Sequence, residues 1–107
     1  MIQKNNLRLK NFVSFLKREM SSLTNSYNVK SLALFGSYIR GEQKKRSDLD
    51  VLVEFSKIPS LLTFIKLENY LSDQLGIKVD LVMKDALKRN IGRRILSKIL
   101  YVWRNRN

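Results

Sequence analysis

The chain has 107 residues, enough for one domain with a single core, and its 44% apolar and 28% charged shares are those of an ordinary globular protein. Cysteine and histidine are absent, which excludes disulfides, thiolate and imidazole metal sites, histidine-based triads and cysteine nucleophiles, and leaves acid–base chemistry to carboxylates, lysine or tyrosine. The net charge of +12 favours a nucleotide, a nucleic acid or an acidic protein as partner, while the lack of a long apolar run or a secretory h-region points to a cytoplasmic protein without membrane contact.

Apolar residues Leu9, Phe12, Val13, Leu16, Met20 and Leu23 recur at helical steps, with Lys10, Lys17, Arg18 and Glu19 between them, and predict an amphipathic helix. Asn25, Ser26 and Asn28 supply turn chemistry at its exit. The run VKSLALF, Val29 to Phe35, suits a buried strand. Gly36 follows directly and permits backbone angles and close ligand approach that other residues do not. Ser37 is expected to cap a short helix running to Gly41, whose first amides would attract phosphate, although an ordinary strand-to-helix turn is the commoner meaning of an isolated Gly-Ser pair. Lys44, Lys45 and Arg46 lie in a charged loop; for the two lysines solvation is the commoner reading.

A second strand is expected from Asp48 to Phe55. Strand alternation then places Asp48 and Asp50 on one side and Leu49, Val51 and Val53 on the other. Two carboxylates held together are costly unless a cation sits between them or one takes up a proton, and carboxylate oxygens suit Mg²⁺, which completes its shell with phosphates and water. A metal-dependent phosphate site is the direct implication. Pro59-Ser60 opens the next helix, with Leu61, Phe64, Leu67, Leu71 and Leu75 expected on its buried stripe and Gly76 as its stop. Ile77 to Met83 reads as a third strand with Asp80 inside an apolar run. A buried carboxylate there needs either hydrogen bonds and a lysine, or a place beside Asp48 and Asp50 at one metal cluster; alongside the same-face pair and the Gly-Ser turn, the cluster is the better account. Asp85 is expected to cap a last helix carrying Leu87, Ile91, Ile95 and Ile99, with Leu96 and Leu100 alongside and Lys88, Arg89, Arg93, Arg94 and Lys98 largely elsewhere. Tyr101-Val102-Trp103 then either packs back on the core or joins a partner surface.

Taken together these residues resemble the nucleotidyltransferase superfamily of DNA polymerase beta, and within it the minimal nucleotidyltransferases (MNT). That pattern is Gly-Ser, a spacer of ten or so residues, Asp-x-Asp and a third carboxylate on a later strand. Gly36-Ser37, the ten residues Tyr38 to Ser47, Asp48-Leu49-Asp50 and Asp80 reproduce it. The minimal branch often reads GSxARGExxxxSDIDLLV; this chain has GSYIRGEQKKRSDLDVLV, so Arg40, Gly41, Glu42 and Ser47 match as well, and Ile39 replaces the small Ala. The resemblance implies an α/β (α+β) fold, a small mixed sheet of three or four strands packed against helices, over residues 1–107 as one domain without a separate acceptor-binding domain. It also implies two Mg²⁺ ions, both bridged by Asp48 and Asp50, with Asp80 on the acceptor side as the group able to take a proton. Gly36 and Ser37 would hold the leaving phosphates of ATP, and Arg40 would either neutralise phosphate or pair with Glu42 or Asp48. The implied activity is AMP transfer from ATP to a tyrosine of a cognate HEPN ribonuclease toxin, within a hetero-oligomer. The alternatives are an antitoxin that acts by binding alone and a nucleotidyltransferase acting on RNA or a small molecule. Nucleic acid is the less favoured partner, because no second domain and no interleaved stacking aromatics accompany the charge.

Overall fold

A computed structural model describes residues 4–86 and 98–104. Its elements are α1 (Lys4–Tyr27), β1 (Val29–Phe35), α2 (Ser37–Arg40), β2 (Leu49–Phe55), α3 (Leu61–Leu75), β3 (Val79–Met83) and β4 (Leu100–Arg104). The expected fold class holds, with four strands in the order β3-β2-β1-β4. β1 pairs antiparallel with β2 and with β4, whereas β2 and β3 run parallel and are joined through α3. A parallel pair cannot be closed by a tight turn, so a crossover helix is required there.

One sheet face carries the main core. Leu32, Leu34, Leu49, Val51, Val53, Val79 and Leu81 pack against Phe12, Leu16, Met20 and Leu23 of α1 and against Leu67 and Leu71 of α3. The helical spacing read in α1 is thus the face that meets the sheet. Asn28 ends α1 in a left-handed conformation, φ 59°, and its N–H donates to Thr24 O, a conformation asparagine tolerates better than most residues. A second, smaller cluster of Ala33, Phe35 and Leu52, with Val82, Ile99 and Tyr101 packed on it, comes from the alternate residues of the same strands. No helix among the described residues is long and apolar enough to cross a membrane.

Several local expectations are corrected. Leu61 is exposed, not buried, because the inward stripe of α3 is set by Phe64, Leu67 and Leu71. Asp48 stands one residue before β2, and β3 starts at Val79 instead of Ile77. Residues 84–86 are helical, so Asp85 lies inside that turn and not before it. The helix pattern through Leu87, Ile91, Ile95 and Leu96 falls outside the described residues, but Ile99 is not helical and Leu100 begins β4. Tyr101-Val102-Trp103 is therefore a strand. Val102 enters the core, and a bulge opposite Leu32 and Ala33 lets the edge strand follow β1.

Candidate active site

The site lies where β1 ends and β2 and β3 begin. Phe35 is opposite Asp50 across the antiparallel pair, and Asp50 is opposite Asp80 across the parallel pair. Residues directly opposite on neighbouring strands project to the same face, so register alone brings Asp50 and Asp80 together. Leu49 N–H donates to Lys78 O at 2.9 Å, which sets the start of β3 beside that of β2. Asp48, two residues before Asp50, adds a third carboxylate. It pairs with Lys78, 3.9 Å away and mostly exposed, an interaction of small energetic weight.

Gly36 shows why this position excludes a side chain. Its backbone has φ 79° and ψ −152°, and a Cβ there would lie 1.9 Å from Asp50 Oδ2. The glycine thus makes room for a carboxylate as well as for the turn into α2. Ser37 is the first helical residue, and Gly36 occupies the cap position with no side-chain cap bond. The expectation of Ser37 as cap is corrected accordingly. Gly36 O instead accepts from the N–H groups of Ile39 and Arg40, and Gly41 closes the turn on Ser37 O. Tyr38 anchors the turn from below, buried and edge-on to Phe12 with ring centroids 5.8 Å apart. Its aromatic ring beside a polar Gly-Ser pair was the available sequence signal for this anchor.

The electrostatics join the three aspartates. Burial, then the charges of Asp80 and Asp48, push the Asp50 carboxyl up from 3.8 to about 6, with Arg40 opposing. Asp50 is the inner member of the group. Asp80 is exposed, so the premise of a buried carboxylate in β3 is corrected: the apolar run around it, Val79 and Leu81, faces the helices while Asp80 alternates away. Arg40 pairs with Glu42, Nε to Oε1 at 2.5 Å, on the exposed rim of α2. Lys44, Lys45 and Arg46 are exposed. Among the described residues no three acidic side chains are grouped so as to hold a metal ion. The donor set nevertheless has the chemistry of a hard divalent cation: carboxylate oxygens only, with one carboxyl destabilised by its charged neighbours.

A polar network at the other end of the same face was not foreseen. Buried Ser31 donates to Glu54 Oε1 at 2.7 Å, Lys84 Nζ reaches that oxygen at 3.4 Å and the Tyr101 hydroxyl at 3.1 Å, and the Arg104 guanidinium lies 3.8 Å from the Tyr101 ring centroid. It ties β1, β2 and β4 to the residue following β3. Glu54 in the otherwise apolar VLVEF was its only sequence signal.

A four-stranded sheet with helices on one face, a glycine turn and aspartates gathered at the strand starts defines a nucleotidyl-transfer scaffold. The chain belongs to the nucleotidyltransferase domain family, whose model matches residues 11–102. It is similar to the protein adenylyltransferase MntA of Thermococcus cleftensis, 47% identical over 96 residues, covering 90% of this chain and 97% of the relative. A Methanocaldococcus jannaschii protein provisionally named a protein adenylyltransferase is 51% identical over 88 residues, covering 81% and 90% of the two chains. Among solved structures, one provisionally named a minimal nucleotidyltransferase superposes with TM-score 0.65 at 30% identity, covering 82% of this chain and 93% of the other. The fold is also shared with a complex of the tri-AMPylated Shewanella oneidensis HEPN toxin and its MNT antitoxin, TM-score 0.62 at 19% identity, with 87% and 73% covered.

Proposed function

We propose that this chain is a single-domain protein adenylyltransferase, moving AMP from ATP to a tyrosine hydroxyl of a cognate HEPN toxin and so acting as its antitoxin. The observation that carries this is the placement of Asp50: pressed against Gly36, in register with Asp80 and two residues from Asp48. Support for the acceptor class comes from the relatives named protein adenylyltransferase and from the neighbour solved with an AMPylated toxin.

Asp48, Asp50 and Asp80 are the residues that would hold Mg²⁺, two ions in this reading. Bound there, Mg²⁺ supplies charge neutralisation on the phosphates and on both the entering and the leaving oxygen. Asp80 is exposed and Asp48 partly so, which leaves both accessible to a cation beside Asp50. The tyrosine oxygen attacks the α-phosphorus, an O–P bond forms, the bridging α–β P–O bond breaks, and pyrophosphate leaves. Asp80, the exposed aspartate facing an incoming acceptor, takes the hydroxyl proton. Ser37 and the amides following Gly36 hold the departing phosphates, since the first N–H groups of a helix lack intrahelical partners. Arg40 belongs to the nucleotide site as a positive group near Asp50, held by Glu42. No covalent enzyme intermediate is required; positioning and charge neutralisation carry the rate.

The test is incubation of the purified chain with α-labelled ATP, Mg²⁺ and the HEPN protein from the neighbouring reading frame. Label on a toxin tyrosine, lost with Asp48→Ala, is the expected result. No label, with wild type and Asp48→Ala alike, removes the reading.

A further inference from the structure

The stretch from Phe55 to Leu67 carries an apolar surface that stays exposed among the described residues. Ile58 is 69% exposed, Leu61 75%, Leu62 63% and Ile65 41%. Leu61 and Ile65 are one helical turn apart, Leu62 lies between them, and Ile58 stands in the segment leading into Ser60, the N-cap of α3. The helix meets the core with its other side, where Phe64 packs edge-on to Phe55 at 6.2 Å and Leu67 and Leu71 are buried. Ile58 also walls a cavity of about 90 Å³ with Val53, Phe55 and Met83 and with Glu54, Lys84 and Asp85. Four large aliphatic side chains in one cluster, on the order of a few hundred Å² and next to a recess, have the size of an interaction surface and not of scattered exposure.

Its charge selects the occupant. Between Glu54 and Glu68 the only charged residues are Lys57 and Lys66, both exposed, and the whole chain carries +12. A second copy would bring lysines against lysines. Nucleic acid would find the charge without a use for the aliphatic ridge. A protein surface with an apolar ridge flanked by Asp and Glu matches both features.

We infer that Ile58, Leu61, Leu62 and Ile65, rimmed by Lys57 and Lys66, form the docking surface for an acid-flanked amphipathic helix of the protein acceptor. The inference rests on the proposed protein-adenylyltransferase reading. From Asp50 to Phe55 is roughly 17 Å along β2 at the usual strand rise, so the surface is separate from the site of transfer. Binding and chemistry are therefore separable. The acceptor is gripped at the far end of the β2–α3 connection while its hydroxyl reaches Asp80, and the grip governs KM more than kcat.

The experiment compares wild type with Leu61→Glu/Leu62→Glu and, as a milder variant, Leu61→Ala/Leu62→Ala. The glutamates fall in the first turn of α3, where negative charge is favourable, so the fold is retained and checked by circular dichroism. Titration calorimetry against the purified HEPN protein and steady-state AMP transfer are the readouts. The glutamate variant is expected to raise Kd and KM by about 30-fold or more, as interface anchors do, with kcat within about twofold and the alanine variant intermediate. Unchanged Kd and KM in both folded variants, with wild type active, overturns the docking surface alone. A wild-type chain that neither binds nor modifies the HEPN protein overturns the functional reading and the surface with it. Dimerisation of wild type lost in the variants, or wild-type binding to phosphatidylserine vesicles lost in them while Kd for the toxin holds, also overturns it, in favour of a second copy or an anionic lipid surface.

Discussion

Asp50→Asn is expected to stabilise the metal-free protein while abolishing transfer. The Asp50 carboxyl is raised from 3.8 to about 6 by burial and by Asp80 and Asp48, so above pH 7 the folded chain holds an ionised group that it disfavours. At about 1.4 kcal/mol per pH unit the difference corresponds to ~3 kcal/mol. The side chain is only partly buried, and solvent screening reduces this to about 1–2 kcal/mol. A group whose folded pKa is raised contributes stability that is present below the unfolded value, 3.8, and is lost as pH rises through about 6. The gain from Asn should therefore be absent near pH 4, grow through pH 5–6 and be complete above pH 7. For a domain of this size it amounts to roughly 5–15 °C in Tm. The assay is thermal unfolding of both proteins in EDTA across pH 4–8, repeated with Mg²⁺, which should raise the Tm of wild type and not that of Asp50→Asn. A variant no more stable than wild type at pH 7.5, or one whose advantage persists at pH 4, would refute the coupling of Asp50 to its neighbours.

Gly36→Ala is expected to cost about 2–3 kcal/mol, because the positive-φ backbone is unfavourable for alanine and the added methyl meets Asp50 Oδ2; Asp50→Ala in the same chain should return part of the loss in urea unfolding, with transfer absent in both. Glu54→Ala should lower stability by about 1–3 kcal/mol, since it strands the buried Ser31 hydroxyl and one partner of Lys84, with AMP transfer retained. The hydrogen bond from Ser31 holds the Glu54 carboxyl below its usual value, so this cost should be present at neutral pH and shrink as pH falls below about 4.5. Glu42→Gln breaks only an exposed pair with Arg40 and should change stability by less than about 0.5 kcal/mol; a larger loss in chemical denaturation would show that the pair holds the α2 turn.

Much of the site was legible because it is local. Asp50 alternates with the buried Leu49 and Val51 along β2, Gly36 must be glycine at a strand-to-helix turn, and the apolar spacing of α1 and α3 survives folding with Asn28, Ser60 and Gly76 at their boundaries. Each of these follows from backbone geometry within a few residues. Leu61 was misplaced because a helical stripe says which residues share a side, while the exact inward direction depends on what the helix packs against. Asp80 was read as buried because a short apolar run does not reveal which of its alternate positions faces the helices.

The amino-acid order by itself determined the elements up to β3 and the glycine turn, since periodicity, capping and turn chemistry act between near neighbours. Only the tertiary structure decided that Tyr101-Val102-Trp103 becomes a strand on β1, that Asp80 lies in register with Asp50, and that Ser31, Glu54, Lys84 and Tyr101 meet across the sheet. Strand pairing joins segments far apart in the chain, and its register is selected by the packing of whole faces.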